Sequence, residues 1–156
     1  MKNNQQGTTT VEFAILASVL FVLIFGVIEI GRAFFVWNSI GEATRRGARL
    51  AAVCPVNHGS ISKVSMFNAP DGGTESELFN GLKDSNINLQ YLDDGGNVTN
   101  VFTEIKSVRV GITDYQHNLL IPYFNMSITV PEFSTTIPAE SLGYIPEIGA
   151  RQCFGS

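Results

Sequence analysis

The sequence predicts an α+β protein in which one long N-terminal α-helix spans a membrane, protrudes from it and packs on a small antiparallel sheet. Three observations lead to this prediction. An unbroken apolar run extends over residues 13–28, and no proline or cysteine interrupts residues 1–53. All six prolines and both cysteines lie in the remainder of the chain. Short segments of alternating polarity between turn residues, which are typical of strands, also lie there.

The apolar run is slightly shorter than the roughly 20 residues that a bilayer span needs. Residues 30–37 continue it, and their three aromatic side chains suit the aromatic belt at a membrane interface. Glu29 and Arg32 stand three positions apart, so they can form an ion pair on one face of the helix. A charged pair at the end of a span costs less than a bare charge in mid-bilayer. We therefore expect Glu29 and Arg32 to mark the exit from the membrane.

The helix is predicted to continue beyond the membrane and to cover residues 8–53, a length of about 69 Å at 1.5 Å per residue. Pro55, with Cys54 before it, ends the helical pattern. Its protruding half carries a stripe of small residues that recur every four positions: Ala43, Gly47 and Ala51. Such a stripe allows close approach of another helix, or packing on the chain's own globular domain. We expect both, on neighbouring faces.

Charge divides unevenly between the two parts of the chain. Residues 1–53 carry five Lys/Arg against three Asp/Glu, whereas residues 54–156 carry five against eleven. The acidic part argues against a nucleic-acid partner, because phosphate binding needs clustered cations. Cys54 and Cys153 flank this acidic part almost end to end. In an exported chain, two cysteines that close a domain favour one disulfide over two unrelated buried thiols.

Residues 54–156 are predicted to fold as a small α+β domain. Thr74 with Glu77 forms a capping-box pattern, which predicts a short helix over the apolar residues that follow it, Leu78, Phe79 and Leu82.

Polarity patterns predict the strands of this domain. Strands are expected at residues 87–92 and 104–113, with one or two more from residues 124–130 and 133–137. The second of these departs from strict period two, which suggests a bulge. Residues 117–123 are expected to form an apolar loop or a short helical turn broken by Pro122.

Candidate catalytic and metal-binding residues are few. Asp93, Asp94 and Asn97 suggest calcium, but they lack the spacing of an EF-hand loop, and a hairpin turn is the favoured interpretation. His58 and His117 have no nearby nucleophile in a known catalytic spacing. The two cysteines and two histidines do not have the close spacing of a metal site. The sequence therefore predicts a protein that is not an enzyme and that carries no cofactor and no metal.

A resemblance to a known family comes from the N-terminal third of the chain. Residues 7–13, Gly-Thr-Thr-Thr-Val-Glu-Phe, resemble the cleavage motif of type IV prepilins. More closely, residues 5–53 resemble the TadE-like pseudopilins of the tight-adherence (Flp, type IVb-like) pilus system. Two further segments carry this likeness, residues 25–33 and 42–49.

The resemblance implies how the N-terminus is processed. A prepilin peptidase would cut between Gly7 and Thr8, so that residues 1–7 are a leader. Glu12 and Phe13 would then serve assembly and subunit register. Glu12 lies one helical turn from the new amine of Thr8, and in lipid each of these charges needs a partner. Pairing within one chain or between neighbouring chains satisfies both, and Phe13 in place of the tyrosine of major pilins fits a minor pilin.

The resemblance also implies the location of the C-terminal domain. The positive-inside rule, applied to the Lys and Arg residues near the span, would place the domain in the cytoplasm. The resemblance instead places residues 8–53 in the bacterial inner membrane as a spanning and protruding helix. Residues 54–156 would then form a pilin-like domain in the periplasm, and the subunit could assemble into an extracellular pilus.

The expected function is that of a non-catalytic minor pilin or pseudopilin in assembly, priming or adhesion of a tight-adherence pilus. Its expected partners are a prepilin peptidase, the inner-membrane assembly platform, other pilin subunits and membrane lipid. The alternative is a signal-anchored periplasmic binding domain that never enters a filament. Gly7 and Glu12 separate the two, because a simple anchor needs neither.

Overall fold

The computed structural model describes residues 5–120 and 126–153, and its longest element is one uninterrupted helix, α1, over Gln5–Val53. The 49 residues of α1 extend over about 74 Å at 1.5 Å per residue. Its N-terminal half is bare, and Phe13 and Val22, for example, are 72% and 71% exposed. By length and composition, this helix is able to cross a membrane. Such an exposed apolar surface suits the hydrocarbon interior of a membrane, so this helix can serve as a membrane anchor.

The C-terminal half of α1 is buried along one face by the rest of the chain. The covered positions recur at helical spacing. They are Glu29, Val36, Ile40, Ala43, Thr44, Gly47, Ala48, Ala51 and Ala52. The covered face thus begins at Glu29, immediately after the bare apolar run ends at Ile28.

A short helix and several strands follow α1. They are α2 (Ser60–Ser65), β1 (Ile87–Leu92), β2 (Ser107–Ile112), β3 (Gln116–Asn118), β4 (Ser127–Thr129), β5 (Phe133–Pro138), β6 (Tyr144–Ile145) and β7 (Ala150–Arg151). Strands β1, β2 and β5 form an antiparallel sheet with β2 in the centre, while β3–β4 and β6–β7 are separate antiparallel pairs. The predicted α+β class, with a long helix on a small antiparallel sheet, is confirmed.

The sheet packs on α1 through β2 and β5. Val108 and Val110 of β2 are completely buried against the helix, because apolar side chains lose free energy on leaving water, by about 25 cal/mol per Å². Thr44 of α1 and Thr135 of β5 also share a hydrogen bond of 2.8 Å between their hydroxyl oxygens. This contact fixes the helix laterally on the sheet.

The predicted strands at residues 87–92 and 133–137 are confirmed, and the one predicted at residues 104–113 is shorter, as β2. The predicted bulge is wrong. Residues of β1 and β2 pair one to one from Ile87–Ile112 to Leu92–Ser107, and β2 pairs with β5 in the same way. The irregular pattern comes from Ile105, which lies before β2 begins at Ser107, whereas Val108, Val110 and Ile112 alternate regularly within the strand.

The helix predicted after Thr74 is wrong, because residues 74–83 form a loop. Side chains bond the backbone groups that a helix would need. Ser76 Oγ accepts hydrogen bonds from the N–H groups of Leu78 and Phe79, and Asn68 Oδ1 accepts one from Glu77. Local bonds of this kind compete with helix formation.

The apolar loop or helical turn predicted at residues 117–123 is also wrong at its start, since residues 117 and 118 belong to strand β3. The rest of that segment, including Pro122, lies partly outside the described residues. Strand β4 falls within the segment predicted at residues 124–130, of which residues 124 and 125 lie outside the described part.

The small-residue stripe is buried by the chain's own domain. Ala43 and Ala51 are completely buried, and Gly47 lies directly against Ser65 and Val110. This face of α1 is therefore closed to a second helix.

We expect Gly47→Ala to lower the free energy of unfolding by about 1–2 kcal/mol, because overpacking of a filled core is destabilising. The added Cβ would overlap Ser65 Oγ and would lie 3.0 Å from Val110 Cγ1. The matched control is Gly41→Ala on the same helix, where a Cβ would meet nothing within 4 Å. That variant should gain up to about 1 kcal/mol from helix propensity. Denaturant unfolding in detergent measures both, and equal shifts of the two variants would contradict the packing argument.

The end of α1 is closed by the C-terminal part of the chain. Cys54 forms a disulfide with Cys153, with their Cα atoms 5.0 Å apart. The carbonyl oxygen of Ala52 accepts hydrogen bonds from the N–H groups of Glu140 and Leu142, at 3.1 and 3.2 Å. These bonds satisfy a terminal helix carbonyl that has no partner within the helix.

Candidate functional site at the membrane exit

The residues of the predicted cleavage and assembly motif lie in the first turns of α1. Gly7, Thr8, Glu12 and Phe13 are all exposed and helical. A Cβ at Gly7 would meet nothing within 4 Å. The folded domain therefore covers neither the Gly7–Thr8 bond nor the Glu12 side chain, so both face outward from the chain.

Glu29 is a buried carboxylate, 8% exposed, at the position where the bare helix meets the domain. Arg32 Nη1 donates to both of its carboxylate oxygens, at 3.0 and 2.8 Å. The backbone N–H of Leu120 donates to Glu29 Oε1 at 3.1 Å. Hydrogen bonds to a charged group are stronger than neutral ones. Glu29 thus joins two segments that lie 91 positions apart in the chain.

His117 in strand β3 completes this cluster. Its side chain is buried, and its Nε2 lies 3.8 Å from Glu29 Oε1. This nitrogen has no hydrogen-bond partner among the described residues. Burial lowers the pKa of His117 below its usual 6.5, the nearby Arg32 guanidinium lowers it further, and Glu29 opposes both. The imidazole is therefore neutral at pH 7.

The lowered pKa of His117 makes the domain sensitive to acid. The folded state favours the neutral imidazole, so its contribution to stability is complete above pH 6.5 and is lost as the pH falls through the lower folded pKa. As the pH is lowered from 6.5 to 5, we expect the midpoint temperature of unfolding to decrease more steeply in the native chain than in His117→Gln. Thermal unfolding at a series of pH values tests this, and parallel pH profiles of the two proteins would refute it.

A cavity of about 360 Å³ adjoins the Glu29 cluster. Arg32, Phe35, Tyr115, His117 and Leu120 are among the residues that line it. The Tyr115 hydroxyl donates a hydrogen bond of 3.4 Å to the carbonyl of Asn80, and burial raises the pKa of this phenol. The cavity lies beside α1 at Arg32, Phe35 and Val36, one to two helical turns beyond the end of the apolar run.

The chemistry of this cluster is that of a structural clamp. Glu29 bonds Arg32 and the Leu120 backbone, His117 lies beside them, and the cluster pairs no nucleophile with a base in hydrogen-bond reach. No three His, Cys, Asp or Glu side chains are placed to hold a metal ion within residues 5–120 and 126–153. What the cluster does is hold the β3–β4 pair against α1 where the helix becomes bare.

Asp93 and Asn97 form the turn that the sequence favoured over a calcium site. Asp93 Oδ1 accepts a hydrogen bond of 2.8 Å from the N–H of Asn97, and this bond lowers the pKa of Asp93. Gly96 has a φ of +79°, which glycine adopts without strain.

Sequence reasoning singled out Glu29 and Arg32 but missed the other two members of the cluster. The i, i+3 spacing of a charge pair on a helix is visible in the sequence. The contacts to His117 and to the Leu120 backbone depend on tertiary folding, and an amide N–H carries no residue-type signal. The one available signal was a histidine within an apolar segment.

Residues 7–49 match the family model described as TadE-like protein. The match covers the opening motif, the bare part of α1 and most of the part that packs on the sheet, and it confirms the resemblance that those residues carry. No curated protein and no solved structure matches the chain. The C-terminal domain lies outside the matched segment.

Proposed function

We propose that this chain, whose residues 7–49 match the TadE-like family, is a minor pilin or pseudopilin of a tight-adherence pilus. The TadE-like pattern associates the chain with pilus systems and with structural proteins rather than with catalysts. In this proposal the chain is inserted in the inner membrane, is cut after Gly7 and joins other pilin subunits through its N-terminal helix. The domain beyond residue 53 lies in the periplasm.

The observation that carries the proposal is the division of α1 at Glu29. The domain covers one face of the helix from Glu29 to its end, and leaves residues 7–28 bare. A helix that only anchors a domain needs a bare apolar run and nothing else. Here the run also begins with an exposed acid, Glu12, one helical turn after the predicted new N-terminus at Thr8.

Glu12 has a specific use in a filament. A carboxylate and an ammonium group that enter lipid together are each stabilised by pairing. The amine released at Thr8 would meet Glu12 of its own chain or of a neighbour. Pairing between chains fixes the axial position of one subunit against the next.

The first test is the intact mass of the chain extracted from membranes, with and without the prepilin peptidase of its host. We expect a chain that begins at Thr8 only when the peptidase is present. A chain that keeps its first seven residues in both strains would overturn processing. That result would favour the alternative of a permanently anchored periplasmic domain.

The second test is Glu12→Ala, with Glu42→Ala as the matched control. We expect Glu12→Ala to leave membrane insertion intact and to reduce co-purification with other pilins roughly tenfold, as loss of one interhelical polar contact of about 1–2 kcal/mol implies. Glu42 is an exposed acid on the covered half of the same helix, and its ion pair with Arg45 spans 3.6 Å. Its loss should not change co-purification. Equal recovery of partners by the two variants would show that Glu12 does not set the subunit register.

A further inference from the structure

We propose that the globular domain is seated on the membrane surface, through an apolar patch that lies in the lipid headgroup layer. The patch, here called the foot, consists of Phe35, Leu78, Leu120 and Met126. The occupant of this surface is the interfacial layer of the bilayer, and not a second protein. The inference rests on the membrane span and on this patch, and it concerns the chain while it is inserted in the bilayer.

The position of the foot along α1 follows from helix geometry. The apolar run of residues 13–28 is about 24 Å long at 1.5 Å per residue, so a hydrocarbon core of about 30 Å extends to about Arg32. The headgroup layer adds about 5–8 Å on each side of the hydrocarbon core. Arg32 therefore lies at the boundary of the hydrocarbon core, and Phe35, about 4.5 Å farther along α1, lies in the headgroup layer.

The β3–β4 pair reaches the same level. The Leu120 N–H binds the Glu29 carboxylate at 3.1 Å, so Leu120 lies beside the last turn of the bare helix. Met126 lies across from Leu119, whose N–H donates to the Met126 carbonyl at 2.9 Å. Phe35, Leu78 and Leu120 line the same cavity beside Arg32. The four foot residues are thus brought to the membrane-proximal end of the domain by three separate segments.

The exposure of these side chains is unfavourable in water. Leu120 is 72% exposed, Phe35 58%, Met126 55% and Leu78 54%. Large apolar side chains clustered at one end of a domain mark an interaction surface rather than scattered exposure. The foot is continuous with the bare apolar helix, so one surface, the bilayer, covers both.

The charges near the foot are compatible with its contact with the membrane surface. The Glu29 carboxylate is neutralised by Arg32, whose side chain is 38% exposed and can reach a headgroup phosphate. His117 beside them is neutral at pH 7, because burial lowers its pKa. Residues 54–156 are acidic as a whole. Attraction to anionic lipid is therefore not the cause of the contact, and the foot should seat on zwitterionic bilayers as well.

The experiment places a nitroxide label on the full chain in phosphatidylcholine nanodiscs, one chain per disc. Leu120→Cys carries the label in the foot. The control is Val98→Cys, which is also an exposed apolar position, at 61%. Val98 pairs with Leu92, at the end of the sheet that lies next to the C-terminal part of α1 and far from the foot. Both native cysteines form the disulfide, so the new thiol is labelled selectively without reductant.

The measured quantity is how often the nitroxide collides with each of two reagents. One is oxygen, which partitions into lipid, and the other is a water-soluble nickel chelate. We expect the oxygen-to-nickel collision ratio to be severalfold higher at Leu120 than at Val98. Equal ratios would place the foot in water and overturn the proposal. Protection of Leu120 from both reagents would mean a protein neighbour, which also overturns it. Leu78→Cys repeats the measurement on a different segment, in case substitution of Leu120 disturbs the β3–β4 pair.

Discussion

Loss of the Cys54–Cys153 disulfide is expected to lower the free energy of unfolding by up to about 4–5 kcal/mol, the value that chain entropy gives for a closed loop of this length. The bond closes a sequence separation of 99 residues, so nearly all of the globular domain lies within the loop. A single domain is typically stable by only about 5–15 kcal/mol. The chain without this bond should therefore be close to its limit of stability.

The disulfide also holds the segment that closes the end of α1. Gly143 packs against Pro55 with a φ of +82°, and the N–H groups of Glu140 and Leu142 bind the Ala52 carbonyl. When Cys153 is released, this segment loses its covalent tie to the end of α1, and we expect this region to loosen first.

Denaturant unfolding of Cys54→Ala, Cys153→Ala and the double variant measures the effect. The three proteins should be equally destabilised, because each lacks the same bond. A thiol count of the denatured native chain should give no free thiol without reductant and two with it. The same count with and without reductant would refute the bond, and wild-type stability of the double variant would refute its contribution.

Replacement of Glu29 by alanine is expected to lower the free energy of unfolding by about 2–3 kcal/mol. Breaking a fully buried ion pair costs about 3–5 kcal/mol, and the partial exposure of Arg32 reduces this figure. The variant removes the acceptor of both Arg32 and the Leu120 N–H. The largest change should be local, at the β3–β4 pair.

Hydrogen exchange separates the local effect from the global one. In Glu29→Ala, the Leu120 amide should exchange much faster, while amides of β2 should change only with global stability. Glu42→Ala is the matched control, since it removes an exposed acid that also pairs with an arginine three residues on. An exposed pair of this kind contributes about 0–1 kcal/mol. If the two variants lose equal stability and Leu120 stays protected in both, the clamp at Glu29 has no structural role.

The parts of the fold that the sequence predicts are those with a strong local signal. The apolar run and the absence of proline predict α1, and the polarity patterns predict β1 and β5. The helix after Thr74 was predicted from a four-residue pattern, yet the side chains of Ser76 and Asn68 bind the same backbone groups in a loop. A local pattern of this length cannot show which of two sets of hydrogen bonds the folded chain keeps.

The candidate site divides in the same way. Glu29 and Arg32 are close in sequence, so their pairing is visible before folding. The Leu120 amide and the His117 ring come to Glu29 through β3, and β3 was expected to be a loop. The stripe of Ala43, Gly47 and Ala51 predicts close packing, and the chain's own domain covers it. The same small residues suit a sheet and a helix, so both partners were predicted, and the structure closes this face to a second helix.

Because α1 continues through Glu29 without a break, the membrane span and the domain tilt together. The helix passes from the bare run into the domain without a break, so the domain cannot rotate independently of the span. A tilt of about 20°, typical of spanning helices, would move the C-terminal end of α1 sideways by about 13 Å relative to Ile28. Tilting toward the foot would press the domain into the bilayer, and tilting away would lift it. The tilt angle of the helix and the height of the domain above the lipid therefore change together.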